Sequence, residues 1–259
     1  MLSTNGSYRL FGFRGIDVFV HWSWFVAAYF LFTWTGGQDL MGFLAIYGSL
    51  FGIVVLHEYG HALACRSVGG EAKHIVLWPL GGVAYVAPPP RPGAVLWSIA
   101  AGPLVNVALV PVFFGLYAVS GTFPPWVQNY LLIMGSINMA LLIFNMMPIY
   151  PLDGGQILQS ILWFFMGRAK SLRITAGIGL AIGGFAFLAA LLGVSKFIPI
   201  LQNIRPFMLL LLSAFVVWQA WNGFRVARYL ALQEAHEKGG LEKALERART
   251  MTGPQRDDR

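Results

Sequence analysis

Residues 54–66 read VVLHEYGHALACR and close an apolar run that begins near residue 41. Ionisable side chains are costly inside hydrocarbon, so His57, Glu58 and His61, all within five positions, require a reason. On a helix, positions i and i+4 lie about 40° apart around the axis and ~6 Å along it. His57 and His61 can therefore turn both imidazoles toward one metal ion. Glu58, between them in azimuth, can reach a water on that ion. This is the HExxH arrangement, in which two histidines bind zinc and the glutamate serves as general base. The competing reading is a structural cluster held by hydrogen bonds, and the apolar setting of the motif disfavours it.

The chain around this segment has the composition of a membrane protein. Hydrophobic residues make up 57% of its 259 positions and charged residues 11%, about half the charged share of a soluble domain. Apolar runs cover approximately 18–35, 41–65, 94–119, 127–147, 174–194 and 206–225, close to the ~20 residues that cross a bilayer. The expected fold is an all-α polytopic membrane protein with about six transmembrane helices. The expected domains are a cytoplasmic arm at 1–17, a six-span membrane domain at 18–225 and a charged cytoplasmic tail at 226–259. The first run is too long for a signal-peptide core and has no small-x-small cleavage site after it, so it reads as a retained span. Cys65 is the only cysteine, which excludes a disulfide within the chain.

The formal charge of +7 does not point to nucleic acid, because the cations fall between the apolar runs and in the tail. Arg9 and Arg14 precede the first run, Arg66, Lys73 and Arg91 lie between the second and third, and Arg168, Lys170 and Arg173 between the fourth and fifth. Arg225 and Arg228 follow the sixth, whereas the opposite loops hold only Lys196 and Arg205. The positive-inside rule then puts both termini in the cytoplasm, with the protein in the inner or plasma membrane.

Residues 70–87 are too short for another span, and Pro79 with Gly81-Gly82 interrupts them. β-Branched and aromatic residues on either side predict a small β-hairpin or re-entrant element between spans two and three. Non-helical backbone at that depth must be covered by protein or line a cavity. Such a hairpin offers an edge strand to a peptide; a plain surface loop is the alternative.

Zinc in a catalytic site takes a third protein ligand and leaves a fourth position open. Asp17 and Asp39 sit at the ends of runs and read as solvated, and His21 and His74 as ordinary satisfied histidines. Asp153 stands apart, in NMMPIYPLDGG at 145–155. Pro148, Pro151, Gly154 and Gly155 break the helix there and free the carboxylate to turn inward. Spans two and four run the same way, so both motifs come to compatible depths. The other reading is that Asp153 caps the next helix.

HEYGH in one span paired with PLDGG after another resembles the site-2 protease family of intramembrane metalloproteases. VHWSW at 20–24, PLGGVA at 79–84 and AGPLVN at 101–106 extend the resemblance over residues 18 to about 160. It implies a core of three spans at about 41–155, one zinc held by His57, His61 and Asp153, and Glu58 as the catalytic carboxylate. It also implies Asn145 as a polar residue beside the site that holds the oxyanion; otherwise Asn145 is a helix-packing amide. Asn106 reads as an amide that packs against or hydrogen-bonds a neighbouring span rather than touching substrate, and Asn138 as a packing amide. The chain has no room between spans for the PDZ domain of some members. The tail at 226–259 is not expected to form the paired CBS module of others.

The function expected is hydrolysis of peptide bonds in or near transmembrane segments of membrane-protein substrates, with the bilayer and such a substrate as partners and no nucleic acid. A metal transporter or channel is the competing class, and does not require Glu58 beside the histidines. An inactive relative that binds helices without cutting them is the third, and the intact HExxH and Asp153 count against it.

Overall fold

The computed structural model describes residues 6–34, 36–78, 81–197 and 206–251. Pro79 and Leu80 at the tip of the expected hairpin, Arg205 in the last loop and the end of the tail lie outside them, as does the side chain of Lys196.

The chain opens with β1 (Ser7–Phe13) and β2 (Ile16–His21), then α1 (Ser23–Trp34) and the long α2 (Leu40–Ser67). The hairpin expected at 70–87 is present as β3 (Glu71–Trp78) and β4 (Gly81–Ala87). It belongs to a larger sheet of order β1-β2-β3-β4, in which β2 runs parallel to β3 and the outer pairs are antiparallel. After it come α3 (Pro92–Ala118), α4 (Pro125–Asn145), α5 (Asp153–Met166), α6 (Arg168–Leu191) and α7 (Pro206–Met251). Five of these helices, α2, α3, α4, α6 and the first part of α7, are long and apolar enough to cross a membrane.

The run at 18–35, expected as one helical span, is different. It is divided between β2 and α1, and α1 has only 12 residues, about 18 Å of helix. Contacts with α2 fix the path. Arg66 Nη2 donates to Gly15 O at 2.7 Å, Tyr59 Oη to Ile16 O at 3.3 Å, and Tyr47 Oη to Trp24 O at 2.9 Å. Residues 47–66 of α2 rise about 28 Å, and the segment from Gly15 to Trp24 climbs the same stretch. An extended strand supplies that length in about ten residues. The backbone polar groups of β2 are met by β1 on one side and β3 on the other, which makes a strand tolerable where water is scarce. The described part of the polar arm expected before residue 18, from residue 6 on, is therefore strand β1 and the beginning of β2.

Alternation explains the packing. Ile16, Val18 and Val20 are 0–3% exposed, while Asp17 and Phe19 between them are half-buried. Those three, with Ile75 and Leu77 of β3, pack on Val54, Val55, Tyr59 and Ala62 of α2. Arg66 closes the base of this layer by donating to the carbonyls of Arg14, Gly15 and Ala72. Arg66→Ala is expected to lower stability by about 2 kcal/mol, since bonds to a charged donor are worth more than neutral ones. Thermal unfolding in detergent measures it.

Contacts divide the chain into two compact units, residues 1–148 with 152–161, and 149–151 with 162–259. The first holds the sheet, α1–α4 and the start of α5. In the second, α6 and α7 form an antiparallel pair, with Gly183 against Val216 and Gly179 against Ala220. These two glycines allow close helix contact, whereas Gly184 faces nothing within 4 Å. Residues 226–251 continue α7 through Gly239-Gly240.

Candidate metal centre

α2 is capped at its N-terminus by Asp39, whose carboxylate accepts from Gly42 N at 2.9 Å. It delivers His57, Glu58 and His61 to a buried face, each 5–6% exposed. Gly60 lets α3 approach, because a Cβ there would meet Ala101 O at 2.6 Å. Asp153 arrives from the other side as the first residue of α5. The chain turns between α4 and α5, and Gly154 sits against the carbonyls of Met146 and Met147, where a side chain would clash.

The three candidate ligands meet in the first unit. His57 Nε2 lies 3.0 Å from Asp153 Oδ2, His61 Nε2 lies 3.5 Å from the same oxygen, and the two Nε2 atoms are 3.0 Å apart. The far side of each ring is occupied. His57 Nδ1 meets Asn106 Oδ1 at 2.5 Å, and His61 Nδ1 meets the Ser98 carbonyl at 2.9 Å. A carbonyl accepts only, so Nδ1 carries the proton in both rings, and the neutral imidazoles turn the lone pairs of Nε2 inward. Asp153 Oδ2 is buried with no hydrogen-bond donor. With both rings neutral, three inward lone pairs at these distances repel one another until a metal ion or a proton lies among them.

The spacing fits zinc. Tetrahedral ligands at 2.0–2.1 Å from a metal stand about 3.3 Å from one another. The donor set of two imidazoles and one carboxylate, with a fourth position free, is the pattern of catalytic zinc sites. Gly102 of α3 completes the space: a Cβ there would come within 2.8 Å of His57 Nε2 and collide with the ring of His61.

The outer contacts give the sequence expectation its partners. Asn106, expected to pack against or hydrogen-bond a neighbouring span, bonds His57 of α2 directly. Its Nδ2 donates to Asn138 Oδ1 at 2.8 Å, and Asn138 Nδ2 donates to the Asn106 carbonyl at 2.9 Å. This pair fixes the orientation of both amides and leaves Asn106 Oδ1 for His57. Asn106 and Asn138 are 0–1% exposed. Their signal in the sequence was burial of two amides in apolar helices; their partner was not legible. The Ser98 carbonyl is backbone and left no trace in residue identity. It neighbours the Ile99 carbonyl, which Pro103 leaves without its helical N–H donor, so that turn of α3 is loosened. Asn106→Ala is expected to lower zinc affinity about 10- to 100-fold, as outer partners of metal-bound histidines do. Competition with a zinc chelator measures it.

Asn145 is the last residue of α4 and half-buried. The side chains set aside as ligands have other partners. Asp17 pairs with Arg9 at 2.8 Å, His21 stacks on Trp78 at 3.8 Å, and His74 lies edge-on to Phe19.

Residues 45–125 and 123–191 match the sequence profile of peptidase family M50. A candidate zinc metalloprotease from Synechocystis sp. is 33% identical over 247 residues, which cover 89% of this chain and 63% of that protein. A zinc metalloprotease from Methanocaldococcus jannaschii is 33% identical over 224 residues, 86% of this chain and 62% of the relative. The chain thus spans less than two thirds of the length of either. The structure of a site-2 protease from M. jannaschii superposes with a TM-score of 0.59 at 28% identity, over 84% of this chain and 95% of that one.

Proposed function

The chain belongs to peptidase family M50 and carries five helices long and apolar enough to cross a membrane, and on that premise we propose that it is an intramembrane zinc metalloprotease. His57, His61 and Asp153 hold the metal and Glu58 is the general base. The substrate is a membrane protein cut in or near a transmembrane segment. The convergence of three lone-pair donors around one point, inside apolar helices, carries the reading.

Zinc bound there supplies a Lewis acid and lowers the pKa of water to ~7. The residues do the rest. Asn106 and the Ser98 carbonyl hold both imidazoles in one tautomer, so that each presents Nε2. Asp153 neutralises part of the metal charge. Glu58 takes a proton from the attacking water and returns it to the leaving nitrogen. Asn145 stabilises the developing oxyanion from the end of α4. A substrate helix must unwind before its peptide bond reaches this site, and the broken backbone around Asp153 gives water a route.

The arrangement of lysines and arginines supports a cytoplasmic placement of both termini in the inner or plasma membrane, with residues 226–259 as a cytoplasmic tail. The test is co-expression of a tagged single-span membrane protein with the chain or with its Glu58→Gln variant. Wild type is expected to make a shortened product, and Glu58→Gln to reduce it by about 10³-fold. A metal transporter would tolerate Glu58→Gln and move zinc across vesicles.

A further inference from the structure

The PLGGVA segment stands out in the sequence, and the metal ligands do not use it. Its strand, β4, reaches the catalytic helix at one point. Glu58 Oε2 accepts a hydrogen bond from Ala84 N–H at 2.8 Å, a length typical of a charge-assisted bond. Gly82 lies under the same side chain: a Cβ there would fall 2.5 Å from the carboxyl carbon and from Oε1.

The strand is well placed to hold a side chain still. β4 is the edge of the sheet, and its pairing to β3 sets Ala84 opposite Ile75 and Gly82 opposite Leu77. Ile75, Val76 and Leu77 are fully buried, so the ladder behind β4 is anchored in the core. The Ala84 N–H is turned off the edge toward Glu58, and the ladder does not need it. A glutamate has three rotatable bonds, and water is scarce at this depth. Without a fixed donor, its carboxylate would sample several positions around the metal.

We propose that β4 is the positioning element of the general base, with the Ala84 N–H fixing Oε2 and the bare Cα of Gly82 giving the side chain room. Oε1 is then the oxygen that receives the proton. The inference rests on the peptidase reading above. It makes Gly82 and the Ala84 amide positioning groups, acting through Glu58 and touching neither metal nor substrate.

Two variants test it by different routes. Replacing the Ala84 amide by an ester, through incorporation of lactic acid at that position, deletes the N–H and keeps the side chain and the ladder. Gly82→Ala crowds Glu58 while leaving the N–H. Purified variants in lipid vesicles are compared with wild type and Glu58→Gln for kcat, KM and zinc per chain on one single-span substrate. For both, kcat is expected to fall about 10²-fold, the effect of displacing a catalytic group by about 1 Å. KM is expected to stay within about twofold and zinc to stay unchanged, because no ligand is touched. A kcat within about twofold of wild type for the ester, or a loss carried by KM or by zinc content, overturns the proposal. Wild type with bound zinc and no cleavage overturns the peptidase reading as well, an outcome distinct from a cleaving wild type with indifferent variants.

Discussion

Asp153→Ala is expected to strip zinc from the purified protein and to reduce proteolysis by at least about 10³-fold, because catalysis and metal are lost together. The carboxylate is the anionic member of the donor set, and without it two neutral imidazoles face the cation alone. Asp153→Asn discriminates between the two readings of this residue. Asparagine caps a helix as well as aspartate does, so a residue that merely started α5 would accept the change with zinc and activity intact. A metal ligand would not: the amide oxygen keeps the shape and loses the charge, and zinc is expected to bind more weakly by about 10-fold or more. Zinc per chain after dialysis, set beside the cleavage rate, separates the two.

Gly102→Ala is the second large effect, and its sign runs against helix propensity. Alanine in a helix interior is ordinarily the better residue by about 1 kcal/mol. At position 102 the added methyl would stand 2.8 Å from His57 Nε2 and inside the contact distance of the His61 ring. The α3 backbone carries it there, and α2 is held close to α3 at Gly60. Neither helix can yield without loss of packing; overpacking of this kind costs about 1–3 kcal/mol or more. Zinc affinity is expected to fall by about 10²-fold, with helical content by circular dichroism unchanged. An alanine variant that binds zinc as tightly as wild type would mean that the two imidazoles do not converge where the structure has them.

These two residues also show what the sequence made legible. His57, Glu58, His61 and Asp153 could be picked out because ionisable groups are rare in apolar segments, and because the i, i+4 spacing converts directly into a shared helix face. Gly102 could not, since its role depends on which helix lies opposite. The same limit hid the partner of His57: Asn106 and Asn138 are conspicuous amides, but only the packing of α3 against α2 and α4 reveals which histidine they serve. β2 was hidden for another reason. An apolar run of 18 residues satisfies the length rule for a helical span whether it crosses as helix or as strand plus helix. The alternation of Ile16, Val18 and Val20 with Asp17 and Phe19 was the local signal of a strand, and the length rule overrode it. The hairpin of β3 and β4 was legible because glycines and a proline broke the run. Its connection to β2 through parallel pairing was not, because parallel partners lie far apart in sequence.

The most direct test of the central claim is to incubate the purified chain in lipid vesicles with a purified single-span substrate, and to identify the new termini by mass spectrometry. The expected result is a cut inside or at the edge of the substrate's apolar segment, abolished by a zinc chelator, restored by added zinc, and absent with Glu58→Gln. Cleavage that persists with Glu58→Gln, or that survives removal of zinc, would contradict a metalloprotease centred on His57, His61, Asp153 and Glu58.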